Sequence, residues 1–169
     1  MTNRNQKRRG SAMIEFTLVG IPLVFILIST FEVARGMWIY HTLAYAVKEG
    51  TRYASVHGET CTIAPNTCTV TVAQVVQHVL DQSSGLLPGQ LNLTLTSVGS
   101  AQACSPASSC QSIDTTWPPS PDSNLGNNIT ITGTYPFPSA ISMFWPGAGP
   151  GTSATFVTFS ASSTETMQN

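Results

Sequence analysis

The hydrophobic pattern divides the chain into three stretches. Residues 1–10 are polar and basic, with no periodicity. Residues 16–31 read FTLVGIPLVFILISTF, without a single charge. A membrane-spanning helix needs about 20 predominantly apolar residues. The run reaches that length once Ala12, Met13, Ile14, Val33 and Ala34 are counted, with Glu15 and Glu32 near its two ends. Pro22 lies inside it, and membrane helices tolerate an internal proline. Trp38 and Tyr40 follow, where amphipathic rings prefer the membrane–water boundary. Helical character continues outward: residues 33–54 contain no proline and are rich in helix formers, although Gly36 and Gly50 weaken the pattern. As one helix, residues 12–54 extend about 64 Å at about 1.5 Å per residue. A hydrocarbon core is only about 30 Å thick. The outer half must therefore pack against its own domain or against neighbouring copies.

The rest of the chain carries shorter signals. Val72, Val75, Val76, Val79 and Leu80 fall on one helical face, which predicts a short helix over 72–81. Thr71 and Gln74 have capping-box spacing before it, and Ser83-Ser84-Gly85 ends it. Three strands are expected. Leu91, Leu93 and Leu95 alternate with Asn92, Thr94 and Thr96; Ile129, Ile131, Gly133 and Tyr135 alternate with threonines; a third strand spans about 153–162. Such alternation suits a half-buried antiparallel sheet. A Ser/Pro/Cys loop over 99–127 separates the first two strands and is long enough to be functional or partly mobile. A Pro/Gly-rich turn over 136–151 separates the last two. The expected fold class is α+β. It comprises a leader at 1–10, a long helix at 11–54 whose first half spans a membrane, and an extracytoplasmic domain at 55–169 with one short helix and an antiparallel sheet of about three strands.

Charge orients this arrangement. Only 9% of residues are charged, and the net charge of −1 hides an asymmetry. Every Lys and Arg lies between Arg4 and Arg52, with Arg4, Lys7, Arg8 and Arg9 directly before the apolar run. Flanking basic residues stay on the cytoplasmic side, so the N-terminus is expected inside and the C-terminal domain outside. Beyond Arg52 no cation remains to meet phosphates, which argues against nucleic-acid binding.

Cysteine placement fits export. Cys61, Cys68, Cys104 and Cys110 all lie beyond the apolar run, and four cysteines allow three pairings. The short loops 61–68 and 104–110 favour the local bonds Cys61–Cys68 and Cys104–Cys110. Neither pair has the close spacing of common zinc sites. His41, His57 and His78 are scattered without acidic neighbours at ligand spacing, so no metal or other cofactor is expected. There is neither a Gly-x-Ser-x-Gly elbow nor a phosphate-cradling glycine loop. No enzyme and no small-molecule substrate are expected. Two N-x-T triplets, at Asn92 and Asn128, fall in threonine-rich strands and are ascribed to chance. The small-x-small triplet Ala44-Tyr45-Ala46 lies too far past the apolar run for ordinary signal peptidase.

The most informative stretch is Gly10-Ser11-Ala12-Met13-Ile14-Glu15-Phe16. A glycine follows a basic leader, and an acid and an aromatic precede the apolar run. This resembles the processing site of type IV prepilins, especially the Flp-type variant, in which a membrane peptidase cuts after the glycine. Glu15 then becomes the fifth residue of the mature chain, its place in that family. A carboxylate at membrane depth costs about 2.5–3.5 kcal/mol on insertion scales and generally finds a partner. The amine freed at Ser11 is a suitable one, and in pilins the glutamate of one subunit is thought to meet the amine of a neighbour.

The resemblance extends along residues 9–54 to the TadE-like family of the Tad (Flp pilus) machinery, through RGSAMIEF at 9–16, FEVAR at 31–35 and KEGTRYAS at 48–55. Lys48 and Thr51 depart mildly from the family's usual block. Weaker echoes occur at 134–137 and 160–167, without the usual late arginine. The resemblance implies a pseudopilin, a minor pilin-like subunit. It would act in assembly of a Tad/Flp-type pilus or secretion apparatus and in surface adherence, with a prepilin peptidase and other pilins and pseudopilins as partners. It implies a single pass through a bacterial inner membrane and a periplasmic domain. The pairs Glu32/Arg35 and Glu49/Arg52, each at i, i+3, are candidate helix contacts. The competing reading is an unpolymerised, membrane-anchored envelope adhesin or binding module.

Overall fold

The computed structural model describes residues 5–58, 61–63, 66–139 and 155–168. Its spine is a helix, α1, over Asn5–Ser55, with Pro22 inside it. The helix starts at Asn5 rather than at 11. The basic segment is built from Gln, Lys and Arg, which are good helix formers, and nothing in it stops the helix. The outer part of α1 is amphipathic. Ile39, Leu43, Ala46, Val47 and Ala54 are buried on one face, at the three- and four-residue spacing of a core-facing helix.

Two elements cover that face. The first is α2, Val72–Gln82, which buries Val72, Val75, Val76 and Val79 against the core. It starts where the sequence places it, with a reciprocal cap. The Gln74 amide N–H donates to Thr71 Oγ1 at 3.3 Å, and the Thr71 N–H donates to Gln74 Oε1 at 2.9 Å. The second is an antiparallel sheet of β3 (Asn92–Thr96), β4 (Ala101–Cys104), β5 (Asn128–Pro138) and β6 (Thr155–Thr166), in the order β4-β3-β5-β6. Leu93, Leu95, Ile129, Ile131, Tyr135 and Phe137 are buried. Hydroxyls pair on the opposite face, Thr130 with Thr164 at 2.8 Å and Thr132 with Ser162 at 3.1 Å. Upstream of α2, a two-residue ladder joins β1 (Thr62–Ile63) to β2 (Asn66–Thr67).

The α+β class holds, with corrections. The sheet has four strands, not three, because β4 lies within the stretch read as a loop. Residues 99–127 are threaded through the domain rather than free of it. Ala107 N–H donates to Leu91 O at 2.6 Å, Val72 N–H to Thr115 O at 2.9 Å, and Trp117 N–H to Val70 O at 3.0 Å. The last strand runs on to Thr166, and β5 runs on to Pro138, into the stretch read as a turn. Residues 153–154 of the expected third strand, and 140–151 of the expected turn, lie outside the described residues.

Glycines set the spacing between layers. A Cβ at Gly133 would lie 2.8 Å from Val47 Cγ2 and 2.9 Å from Leu43 Cδ1, closer than side chains pack. One at Gly50 would collide with Val79. Gly50 weakens helix propensity by about 1 kcal/mol relative to Ala, yet it is the residue that lets α2 close on α1. The strand direction follows. Gln168 N–H donates to Ser55 O at 3.0 Å at one end of the domain, while Arg35 reaches Pro138 at the other.

Candidate functional site

Among the described residues, most side chains of the inner half of α1 are exposed. Met13, Phe16, Leu18, Ile26 and Phe31 are among the large apolar side chains it exposes. The helix is long and apolar enough to cross a membrane, with none of its most apolar window buried. A helix apolar on all sides needs an apolar surrounding. Two of its hydroxyls bond to the helix's own backbone, as such a surrounding demands. Thr17 Oγ1 donates to Met13 O and Ile14 O, both at 3.0 Å, and Thr30 Oγ1 to Ile26 O at 2.8 Å.

Gly10 and Ser11 lie within this helix, and their side chains fall outside what the structure describes. Glu15 and Phe16 are exposed one turn beyond.

Where the bare half gives way to the packed half, α1 is clasped to the end of β5. Glu32 and Arg35 form an ion pair at 3.4 Å, with Glu32 mostly buried (12% exposed) and Arg35 half-exposed (47%). Arg35 Nη2 also donates to Pro138 O at 3.0 Å, and Ser139 Oγ donates to Glu32 Oε2 at 2.9 Å. The guanidinium lies 4.9 Å from the centre of the Phe137 ring, a cation–π distance. Phe137 packs on Phe159 with centroids 5.4 Å apart. Gly36 sits under both rings, where a Cβ would be 3.5 Å from Phe159 and 3.7 Å from Phe137. Glu32 and Arg35 therefore tie the helix to its own sheet. Pro138 and Ser139 were not among the residues singled out from the sequence. They stand more than 100 positions from their partners, and no local pattern announces them.

Beside this clasp a groove of about 610 Å³ opens between helix and sheet, lined on one side by Val33, Gly36 and Met37 and on the other by Phe137, Val157 and Phe159. A second apolar depression on α1 shares Ser29, Val33 and Met37 with it and continues to Phe25.

The remaining candidate residues are dispersed. Glu49 and Arg52 form no ion pair with each other. Arg52 is exposed in the last turn of α1, where a cation meets the negative end of the helix dipole. Disulfides join Cys61 to Cys68 and Cys104 to Cys110, with Cα atoms 5.3 and 5.5 Å apart. The first closes the β1–β2 hairpin; the second staples β4 to the 3₁₀ turn at Ala107–Cys110. Tyr53 lies between His57 and His78, with centroids 4.5 and 4.4 Å away. Among the described residues no group of three His, Cys, Asp or Glu is placed to hold a metal.

One further polar cluster was missed. Buried Asp122 accepts from Ser97 Oγ at 2.5 Å, from the Gly99 N–H at 2.9 Å and from Ser100 Oγ at 3.5 Å. The Ser97 hydroxyl, then the Gly99 amide, hold its carboxyl below the ordinary range; burial opposes them, and Ser100 adds to the lowering. The cluster pins the β3–β4 turn to the loop before β5, at the end of the domain away from the clasp.

Comparison with curated proteins finds no match, and neither does comparison with solved structures. The family model described as TadE-like protein matches residues 10–52, about a quarter of the chain. That stretch holds Gly10, Glu15, the bare apolar span, the Glu32–Arg35 clasp and most of the packed half of α1. The helical spine of this chain is therefore TadE-like, which points to a protein associated with a Tad-type pilus.

Proposed function

We propose that this chain is a pseudopilin: a minor, pilin-like subunit that acts in assembly of a Tad/Flp-type pilus or secretion apparatus serving surface adherence. A prepilin peptidase removes residues 1–10. The mature chain, residues 11–54 as helix and 55–169 as domain, crosses the bacterial inner membrane once, with the domain on the periplasmic side. The observation that carries the reading is the family match over residues 10–52, which coincides with a helix bare in one half and embedded in a domain in the other. The basic residues before the span support the orientation.

In this reading Glu15 does the assembly chemistry. Its carboxylate, costly at membrane depth, pairs with the Ser11 amine of a neighbouring subunit, and Phe16 packs beside it. The amine exists only after cleavage, so processing and assembly are coupled in that order. Glu32 and Arg35 hold the domain at a fixed height on the helix, while exposed Arg52 and half-exposed Glu49 remain for contacts with other pilins.

The test is intact-mass analysis of the chain from its native membrane, with wild type, Glu15→Gln and Glu15→Asp compared for filament formation. The expected mature chain begins at Ser11. Glu15→Gln should be processed and inserted normally yet fail to assemble, because it leaves the neighbour's amine unpaired in a low dielectric. A chain that keeps residues 1–10 beside an active peptidase would sink the processing step. Normal assembly by Glu15→Gln would discard the pairing and move weight to an unpolymerised envelope adhesin.

A further inference from the structure

The groove beside the clasp lies at a definite depth. Counted from Met13 at about 1.5 Å per residue, a hydrocarbon core of about 30 Å is used up near Glu32. Headgroup layers add about 5–8 Å on each side. Val33, Gly36 and Met37 fall within that layer, and Met37 is only five positions past Glu32. The groove is thus at headgroup level. It is also continuous downward, because the depression running from Phe25 shares Ser29, Val33 and Met37 with it. An unbroken apolar track leads from the bare helix onto the sheet. Its surroundings match a bilayer boundary. Tyr40 lines it, Trp38 (66% exposed) stands at the same level on another face of α1, and such rings favour that boundary. The Arg35 guanidinium stands at the same level, half-exposed, where lipid phosphates lie.

We propose that this groove takes a phospholipid acyl chain from the leaflet on the domain's side, with Arg35 beside the lipid phosphate, so that the domain is seated in the bilayer surface rather than held above it. The proposal rests on reading the bare half of α1 as the membrane span. The volume of about 610 Å³ lies within the range of about 300–1,000 Å³ typical of small-ligand sites. A lipid occupant follows from the track: its lower end is immersed in hydrocarbon, so acyl chains reach the groove without crossing water. Val157, on β6, is half-exposed at the rim. It belongs to the sheet, so contact between it and lipid would not follow from a spanning helix alone.

The experiment places the photo-crosslinking residue p-benzoylphenylalanine at Val157 in the full chain, reconstituted in nanodiscs of phosphatidylethanolamine and phosphatidylglycerol. Adducts are read by mass spectrometry. A second probe at Met37, on the helix side, covers the case in which the Val157 variant misfolds. Phe25, within the span, and Leu125, exposed at the opposite end of the domain, are the references. Lipid adducts are expected at Phe25, Met37 and Val157, and none at Leu125. Lipid adducts at Phe25 with none at Val157 and Met37 would overturn the groove proposal and leave the span intact. So would crosslinks from Val157 to a second copy of the chain, or back into residues 140–154. Absence of lipid adducts at Phe25 as well would overturn the span and the groove together.

Discussion

The two halves of α1 are one continuous helix in two different solvents. Residues 13–38 show apolar side chains in every direction, and few of them touch another element. Residues 39–55 bury the stripe Ile39, Leu43, Val47 and Ala54, leave Tyr40 and Tyr45 partly exposed, and put Lys48 and Arg52 on the other side. Both halves keep the helical backbone, apart from the donor missing at Pro22. The difference lies in who completes the apolar contacts: lipid for the first half, α2 and the sheet for the second. A helix this long does not choose one environment. Its sequence switches from all-round to one-sided hydrophobicity where the environment changes, and the Glu32–Arg35 clasp marks the switch.

The largest test of this contrast is one substitution made on each side of it. Leu43→Ala empties a fully buried site and should cost the domain about 3 kcal/mol in denaturant unfolding, within the range for such core truncations. Leu23→Ala, on the bare half, should leave the same unfolding curve within about 0.5 kcal/mol. Equal losses at both positions would mean the bare half packs on the domain and is not a span.

A smaller effect is expected at the seam. Gly133→Ala places a methyl group 2.8 Å from Val47 and 2.9 Å from Leu43, and overpacking of this kind costs about 1–3 kcal/mol. Membrane insertion should be unchanged, since the strand contributes nothing to it. A variant as stable as the wild type would show that α1 and β5 sit further apart than the structure places them.

How far the sequence disclosed this contrast depends on the range of each signal. The bare span, the α2 stripe and the capping box are written within a few residues, and each was legible. So were two strands in which Leu or Ile alternates with Thr, and the described part of a third around Val157 and Phe159. The strand β4 was not: Ala101–Cys104 has no β-branched residue, and it forms because Leu93 pairs opposite Cys104 and the disulfide to Cys110 holds its end. Residues 99–127 looked loose for the same reason, since their backbone partners, such as Leu91 and Val70, lie in other parts of the chain. Glu32 and Arg35 were singled out as a pair, but Pro138 and Ser139, which give the pair its purpose, come from across the fold. Asp122 gave no local signal at all.

The smallest effect is expected far from the switch, at Asp122. Its folded-state pKa is lowered, so the folded chain binds fewer protons there than the unfolded chain. The carboxylate therefore stabilises the domain fully above its ordinary pKa of 3.8, and that stabilisation fades as pH falls through the lowered folded value. Asp122→Asn should be less stable than wild type at neutral pH, and the gap should close as the solution is acidified below the ordinary carboxylate range. Urea unfolding of both proteins across that range measures it. A gap that widens on acidification would contradict the lowered pKa.

The unbroken run of α1 from Asn5 to Ser55 has a mechanical consequence. A domain on a flexible tether can wander while its anchor is pulled; a domain grown on the anchor's own helix cannot. Any lift or turn applied to α1 beyond Pro22 is passed on to the sheet, because the clasp and the seam tie the helix to it. The weakest point of the rod is inside the bilayer. Pro22 lacks an N–H, and an internal proline kinks or loosens a helix at its own turn. Bending is thus assigned to the lipid-immersed half, and the passage from membrane to domain moves as a rigid shaft.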